Sequence, residues 1–128
     1  MTDALLFAML NVSPITAVVG TSIACQRLPE NSTFPAIVYS EISCVPYINF
    51  CAPSSRFTSR VQINPLAKTM AQIEALHALI KTALESDTAR TFGLINVLNC
   101  RFSARTAASI DDDTGIWTKP ADYMLVYQ

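Results

Sequence analysis

The clearest pattern in the chain runs from Phe57 to Glu85. Phe57, Val61 and Ile63 alternate with Thr58, Arg60, Gln62 and Asn64, and only the polar Ser59 interrupts the apolar side. A period of two predicts a strand with one buried face. Pro65 lacks a backbone donor and is expected to end the ladder. Thr69 precedes Gln72 by three residues, the spacing of a capping box. The period then changes to that of a helix. Ile73, Leu76, Ile80, Ala83 and Leu84 make one stripe, with Met70 and Leu79 at its borders and Glu74, Lys81 and Glu85 opposite. The pattern predicts one long helix of about five turns, lying on a sheet.

The other elements are read in the same way. Thr2 or Asp3 can cap a helix to Leu10, with Leu5, Leu6, Met9 and Leu10 on its apolar side. Ser13 as cap and Pro14 at the first helical position start a short helix that ends at Gly20. A short strand is expected near Ser22–Gln26, then a turn at Leu28–Asn31, then a strand over Ala36–Cys44. Glu41 in that strand faces solvent or a neighbouring subunit, because burying an unpaired carboxylate is costly. Val45–Arg56 reads as a long hairpin loop with apolar Val45, Tyr47, Ile48 and Phe50. It either folds back on the sheet or docks on a partner.

Ser86–Gly93 is the helix exit. Leu98, Cys100, Phe102 and Ala104 then alternate with Asn99, Arg101, Ser103 and Arg105, predicting a strand with one apolar and one basic face. Asp111, Asp112 and Asp113 sit on a hairpin tip, and Trp117 opens a last strand that passes Pro120 and ends at Tyr127. The order α-α-β-β-β-α-β-β predicts an α+β fold: a mainly antiparallel sheet, one long helix on one face and short N-terminal helices. Residues 1–128 are expected to form a single domain.

Composition adds one constraint. Charged residues are 15% and hydrophobic residues 51% of the chain, with a formal net charge of -1. That charged fraction is low against the ~25% of ordinary soluble domains. Part of the apolar surface is therefore expected to meet another subunit, and the near-zero charge argues against a general nucleic-acid binder. Ala4–Leu10 is far shorter than the ~20 residues of a membrane span and has no basic flank, so no membrane role and a cytosolic origin are expected.

Catalytic and cofactor chemistry finds little footing. Cys25, Cys44, Cys51 and Cys100 have no C-x-x-C spacing, which predicts reduced thiols rather than zinc ligands. The three glycines form no phosphate-binding pattern. The single histidine, His77, lies at the border of the helical stripe and reads as a half-buried structural residue. Asp111–Asp113 lack the alternation and distal glutamate of a calcium loop and read as a solvated hairpin tip, with a charged contact to a basic neighbour as the functional alternative. Arg101 and Arg105, with Arg60 and Lys119 nearby, read as an exposed sheet face or inter-subunit ion pairs, with phosphate contact as the sharper alternative. No catalytic, cofactor or metal residue is assigned. Glu41, Tyr47, Ile48, Phe50, Asp111, Asp112, Asp113 and Trp117 are candidate contacts with a neighbouring subunit or partner.

Nearly the whole chain resembles the tail completion, or tail terminator, family of long-tailed bacteriophages. The resemblance rests on the apolar N-terminal helix, on ITAVVGTSIACQRLPENSTFPAIVYSEIS, on the strand-to-helix unit SRVQINPLAKTMAQIEALHALIKTAL, and on the ending YMLVYQ. It implies a non-enzymatic virion protein without cofactors, assembled in the bacterial cytoplasm and placed at the head–tail interface. It also implies a ring, usually a hexamer, at the head-proximal end of the tail tube, in contact with tube and head–tail connector proteins and passed by DNA, with Arg101 and Arg105 as candidate channel-lining residues. The segment Val45–Arg56 is longer than the family's usual hairpin loop. Two alternatives remain at this point: a head-side stopper or tube subunit, and a small ligand-binding α+β domain with its pocket between the helix and Val45–Arg56.

Overall fold

The computed structural model describes residues 2–30, 32–47 and 56–128, with side chains from residue 4 onward. The fold is mixed α/β and mostly strand. Its elements are α1 (Thr2–Leu10), α2 (Ser13–Val19), β1 (Ile23–Cys25), β2 (Ala36–Pro46), β3 (Phe57–Ala67), α3 (Met70–Leu84), β4 (Arg90–Phe92), β5 (Ile95–Arg105), β6 (Ser109–Ile110), β7 (Trp117–Thr118) and β8 (Ala121–Tyr127). The sheet runs β1-β2-β3-β8-β5-β4, with β7 paired to the end of β3 and β6 paired to β7. β1 lies parallel to β2, and the other pairings are antiparallel. Helix α1 touches β1 and β2 at one edge and β4 at the other, so the sheet curls around the helices.

The core lies between the helices and one face of the sheet. Leu5, Leu6, Met9 and Leu10 of α1, Ile15 and Val19 of α2, and Leu76, Ile80 and Leu84 of α3 meet Val61, Ile63, Tyr123 and Leu125 there. Alternation puts Ser59, Val61, Ile63, Pro65 and Ala67 on that helix side, all buried, and Arg60, Gln62 and Asn64 on the open side. Thr69 caps α3, its Oγ1 accepting from the Gln72 N–H at 3.3 Å. The far end of α3 is capped from β4: the Arg90 guanidinium donates to the carbonyls of Ala83 at 2.7 Å and Leu84 at 2.5 Å. Ser13 is not the cap of α2. It is the first helical residue, and Val12 stands at the cap position.

Pro65 does not end β3, which continues to Ala67. Ile37 donates its own N–H to the carbonyl of Ser22, just before β1, so it faces Pro65 as a non-hydrogen-bonded pair. The missing proline donor would therefore have pointed away from β2. On that side β3 pairs with β8 up to Ile63 and with β7 from Leu66, leaving a gap opposite Lys119-Pro120. The expected final strand is accordingly split into β7 and β8 at this gap.

Three further corrections concern phase and length. The expected loop Val45–Arg56 is shorter, because Val45 pairs with Thr58, Pro46 with Phe57, and the Tyr47 N–H reaches the Arg56 carbonyl at 2.9 Å. Residues 48–55, with the candidates Ile48 and Phe50 and with Cys51, lie outside the described residues. The expected helix exit contains a strand, β4. In β5 the even alternation breaks at register shifts between Val97 and Asn99 and between Phe102 and Ala104. Each shift adds one residue and reverses which face the following side chains occupy.

Truncating Ile80 to Ala is expected to lower unfolding free energy by about 2–5 kcal/mol. Thr69→Ala should cost about 1 kcal/mol. Urea denaturation followed by circular dichroism measures both.

Candidate interaction surfaces

The polar groups near the helix side form a clamp rather than a reaction centre. His77 lies on α3 within the core and is 1% exposed, not half-buried as expected. Its Nε2–H donates to the Lys119 carbonyl at 2.7 Å. That carbonyl stands opposite Pro65, which has no N–H to give it, so the imidazole supplies the absent donor. The Lys119 ammonium binds Glu74, one turn earlier on α3, at 2.9 Å. Arg105 approaches the same carboxylate at 3.6 Å. The Lys119 hydrogen bond holds the Glu74 carboxyl below its usual range. Burial pushes the His77 imidazole down, assisted by the positive charge of Arg105 and Lys119 and opposed by its hydrogen bond and Glu74. Among the described residues no nucleophilic side chain bonds this histidine, and its Nδ1 is buried without a partner.

Cys100 and Tyr123 are equally quiet. Burial raises Cys100 to about 11 and Tyr123 to about 12, so both stay protonated at neutral pH. Among the described residues no cluster of His, Cys, Asp and Glu has the makings of a metal site. No helix among them is long and apolar enough to cross a membrane.

The expected basic strand face does not form. Arg101 pairs in register with Met124 and Arg105 with Ala121, an even and an odd position of β8, so they face opposite sides. The register shift at Ser103 is the cause. Arg105 lies on the helix side over the Phe102 ring, 5.5 Å from its centroid. Arg101 lies on the other face and binds Asp87 at 2.8 Å. Arg60 donates through Nε to Asp122 at 3.1 Å and covers that carboxylate, whose side chain is 9% exposed. All four cations thus carry acidic partners.

Apolar exposure is concentrated elsewhere. From Glu41 to Tyr47 every residue is exposed. The run begins at a bulge between Glu41 and Ser43, which leaves Ile42 as the extra residue. Ile42, Val45 and Tyr47 are exposed apolar side chains here, Tyr47 by 57%, while Phe57 is exposed on the opposite face of the ladder, beside Pro46. Val45 and Tyr47 were legible as apolar residues beyond the expected strand. Phe57 was expected inside and instead stacks on Tyr127 at the rim, at 5.7 Å.

At the opposite end of β3 is a groove of about 480 Å³. It is lined by Leu28 and Phe34 from the turn before β2, Leu66 and Lys68 from the end of β3, and Asp111, Thr114, Ile116 and Thr118 from the β6–β7 hairpin. Sequence reading missed it, because its walls come from separate segments. The only local signals were apolar Leu28 and Phe34 beside prolines. Asp111, Asp112 and Asp113 are exposed on the adjoining tip, where Asp111 Oδ1 accepts from the Asp113 N–H at 3.0 Å. Trp117 is half-buried in β7, in register with Ile110 and Ala67. Glu41 is exposed. The structure brings Asp111 to the groove and Glu41 and Tyr47 to the arm, well apart.

Residues 3–116 match the protein family described as "Tail completion protein gp17". No curated protein matches the sequence. A solved structure, "Virion of native gene transfer agent (GTA) particle", contains a chain of the same fold. The TM-score is 0.75 at 12% identity, covering 95% of this chain and 90% of that chain.

Two measurements test the clamp. Unfolded His77 binds protons at a higher pH than the folded residue does. Its contribution is therefore complete above the ordinary histidine value of 6.5 and falls as pH drops toward the lowered folded value. Urea midpoints should decline between pH 7 and 5, and His77→Leu should flatten that slope. At pH 7 the same variant should lose about 1–3 kcal/mol, because the Lys119 carbonyl is left without a donor.

Proposed function

The chain belongs to the tail completion protein gp17 family, and from that membership we propose that it forms a closed ring ending the tail tube. It is a structural component of the virion tail, not an enzyme. The ring, of six copies, sits at the head-proximal end of the tube, stops tube growth and joins tail to head. Residues 1–128 act as one domain. The partners are the tube protein on one side and head–tail connector proteins on the other, with DNA passing through the ring.

The observation that carries this reading is the family match over almost the full chain. The surface is consistent with it: the apolar hairpin arm and the groove need covering, and both lie away from the catalytically quiet clamp. Glu41, Tyr47, Asp111, Asp112, Asp113 and Trp117 are proposed contact residues, together with Ile48 and Phe50 outside the described residues. Of the two arginines first considered for the channel, Arg101 suits that role. It is exposed on the face away from the helices, and Asp87 beside it tempers its charge. Such a surface would let phosphates pass without tight binding. Arg105 is occupied by α3.

Particle assembly without this protein is the test. Negative-stain images should show unjoined heads and tubes of uncontrolled length, and tubes of normal length joined to heads would overturn the reading. Purified protein should give a discrete mass near six 14.0 kDa chains in light scattering, whereas open-ended tubes would make it a tube subunit. Arg101→Ala should leave that mass unchanged and slow DNA delivery. Rings that fall apart would move Arg101 to an interface.

A further inference from the structure

The β6–β7 hairpin, residues 109–118, is bonded well within itself and lightly to the rest of the chain. Inside it the Asp111 N–H donates to the Ile116 carbonyl at 3.0 Å, the Gly115 N–H donates to the Asp111 carbonyl at 2.7 Å, and the Ser109 and Thr118 hydroxyls meet at 3.1 Å. Among the described residues β6 pairs only with β7, and β7 reaches β3 through Thr118 and Trp117. Ile116 is the one buried residue of the hairpin. The two stretches that join it to the sheet, residues 106–108 and 119–120, are both unpaired and lie side by side where the β5–β8 ladder ends. A stiff body on two adjacent unpaired joints is built to hinge. Part of the groove belongs to this body. Asp111, Thr114, Ile116 and Thr118 line it from the hairpin, while Leu28 and Phe34 line it from the turn before β2. A change in the angle of the hairpin therefore changes the width of the groove.

One joint is held to α3. Lys119 is bonded at its carbonyl by His77 and at its ammonium by Glu74. The charged groups that face the imidazole are Glu74 of its own helix, Arg105 of β5 and Lys119 itself. Two of the three are cations, and Nδ1 is buried with no acceptor. A proton arriving at Nδ1 has nothing to donate to in this arrangement, so something must yield for water to reach it. Helix α3 is fastened by Ile73, Leu76, Ile80 and Leu84, all fully buried. The joint is fastened by the Lys119 bonds and by one from the Thr106 N–H to the Pro120 carbonyl at 2.9 Å. The joint is the weaker side. We propose that the hairpin is a hinged jaw latched by His77, and that protonating the imidazole frees the jaw from α3 and widens the groove. The subunit then has two shapes, closed at neutral pH and open in acid. This inference stands whether or not the ring forms.

Hydrogen exchange of the full chain, read by mass spectrometry, tests the latch. After correction for intrinsic exchange rates, protection of residues 109–118 should fall between pH 7 and 5, by up to about tenfold per pH unit, the limit for one proton. The residues of β3 and β8 that pair with each other should lose less. His77→Gln keeps an N–H for the Lys119 carbonyl and does not titrate, so its hairpin should stay protected at both pH values. Trp117, the single tryptophan, gives a second reading. Acrylamide should quench its fluorescence more at pH 5 than at pH 7 in the wild-type chain, and equally at both in His77→Gln. Wild-type hairpin protection that does not change with pH overturns the proposal. An equal loss across β3 and β8 also overturns it, because the whole chain is then unfolding and the hairpin is no separate body. Both of these outcomes are read on the wild-type chain and need no variant to fold. A His77→Gln chain that keeps the full pH response gives the switch to another group and ends the proposal.

Discussion

Pro65 leaves the carbonyl of Lys119 without its strand donor, and the imidazole of His77 takes the vacant place. This substitution fixes where α3 sits on the sheet. Apolar packing alone would let a helix slide along a strand surface at little cost, since Ile73, Leu76, Ile80 and Leu84 are similar in size and character. A directional bond to one carbonyl does not tolerate such a shift. The Lys119 side chain repeats the constraint one turn away by holding Glu74. One residue of the sheet thus grips the helix through both its backbone and its ammonium. A buried histidine that could suggest catalysis is explained by a gap between two strands.

The alternation along β3 and β8 then assigns the side chains of these two strands to their faces. Odd positions of β8 face the helices and make the core with Val61 and Ile63. Even positions face outward, where Asp122 is sheltered by Arg60. Moving either strand by one residue would exchange the two sets and place a carboxylate in the core. Arg60 is half exposed, so its pairing with Asp122 brings modest stability by itself. Its larger effect is on register, because the slipped pairing would leave the carboxylate without that cation.

Much of this was legible in the sequence. The change of period at Thr69 and the apolar sides of α1 and α3 were written in residue type, and family membership followed from the order of such segments. The rest was hidden for definable reasons. The additional residues in β5 change phase without changing composition, so Arg101 and Arg105 read as neighbours on one face when they are not. Pro65 reads as a terminator unless the partner strand on its donor side is known to stop there. Arg90 gives no sign in sequence that it caps a helix ending several residues earlier. The groove is assembled from the Leu28 turn, Phe34, the end of β3 and the β6–β7 hairpin, and no local pattern can announce such a meeting. The exposure of Phe57 follows from the same limit, since the alternation continues past the point where the helical layer ends.

The bulge after Glu41 divides β2 into two regimes. Up to Tyr39 the strand lies between β1 and β3 and above the core. Beyond it β1 has ended, and Glu41, the bulge at Ile42 and Pro46 guard an otherwise open strand edge against pairing at random. The inner half shares the cooperative stability of the core, while the outer half is held mainly by its pairing with β3. Amide protons should therefore exchange with solvent on two separate timescales within one continuous strand. The bulge also turns the strand over: beyond it Val45 and Tyr47 share the open face with Arg60, while Cys44 and Pro46 stand on the side of Tyr127 and Phe57.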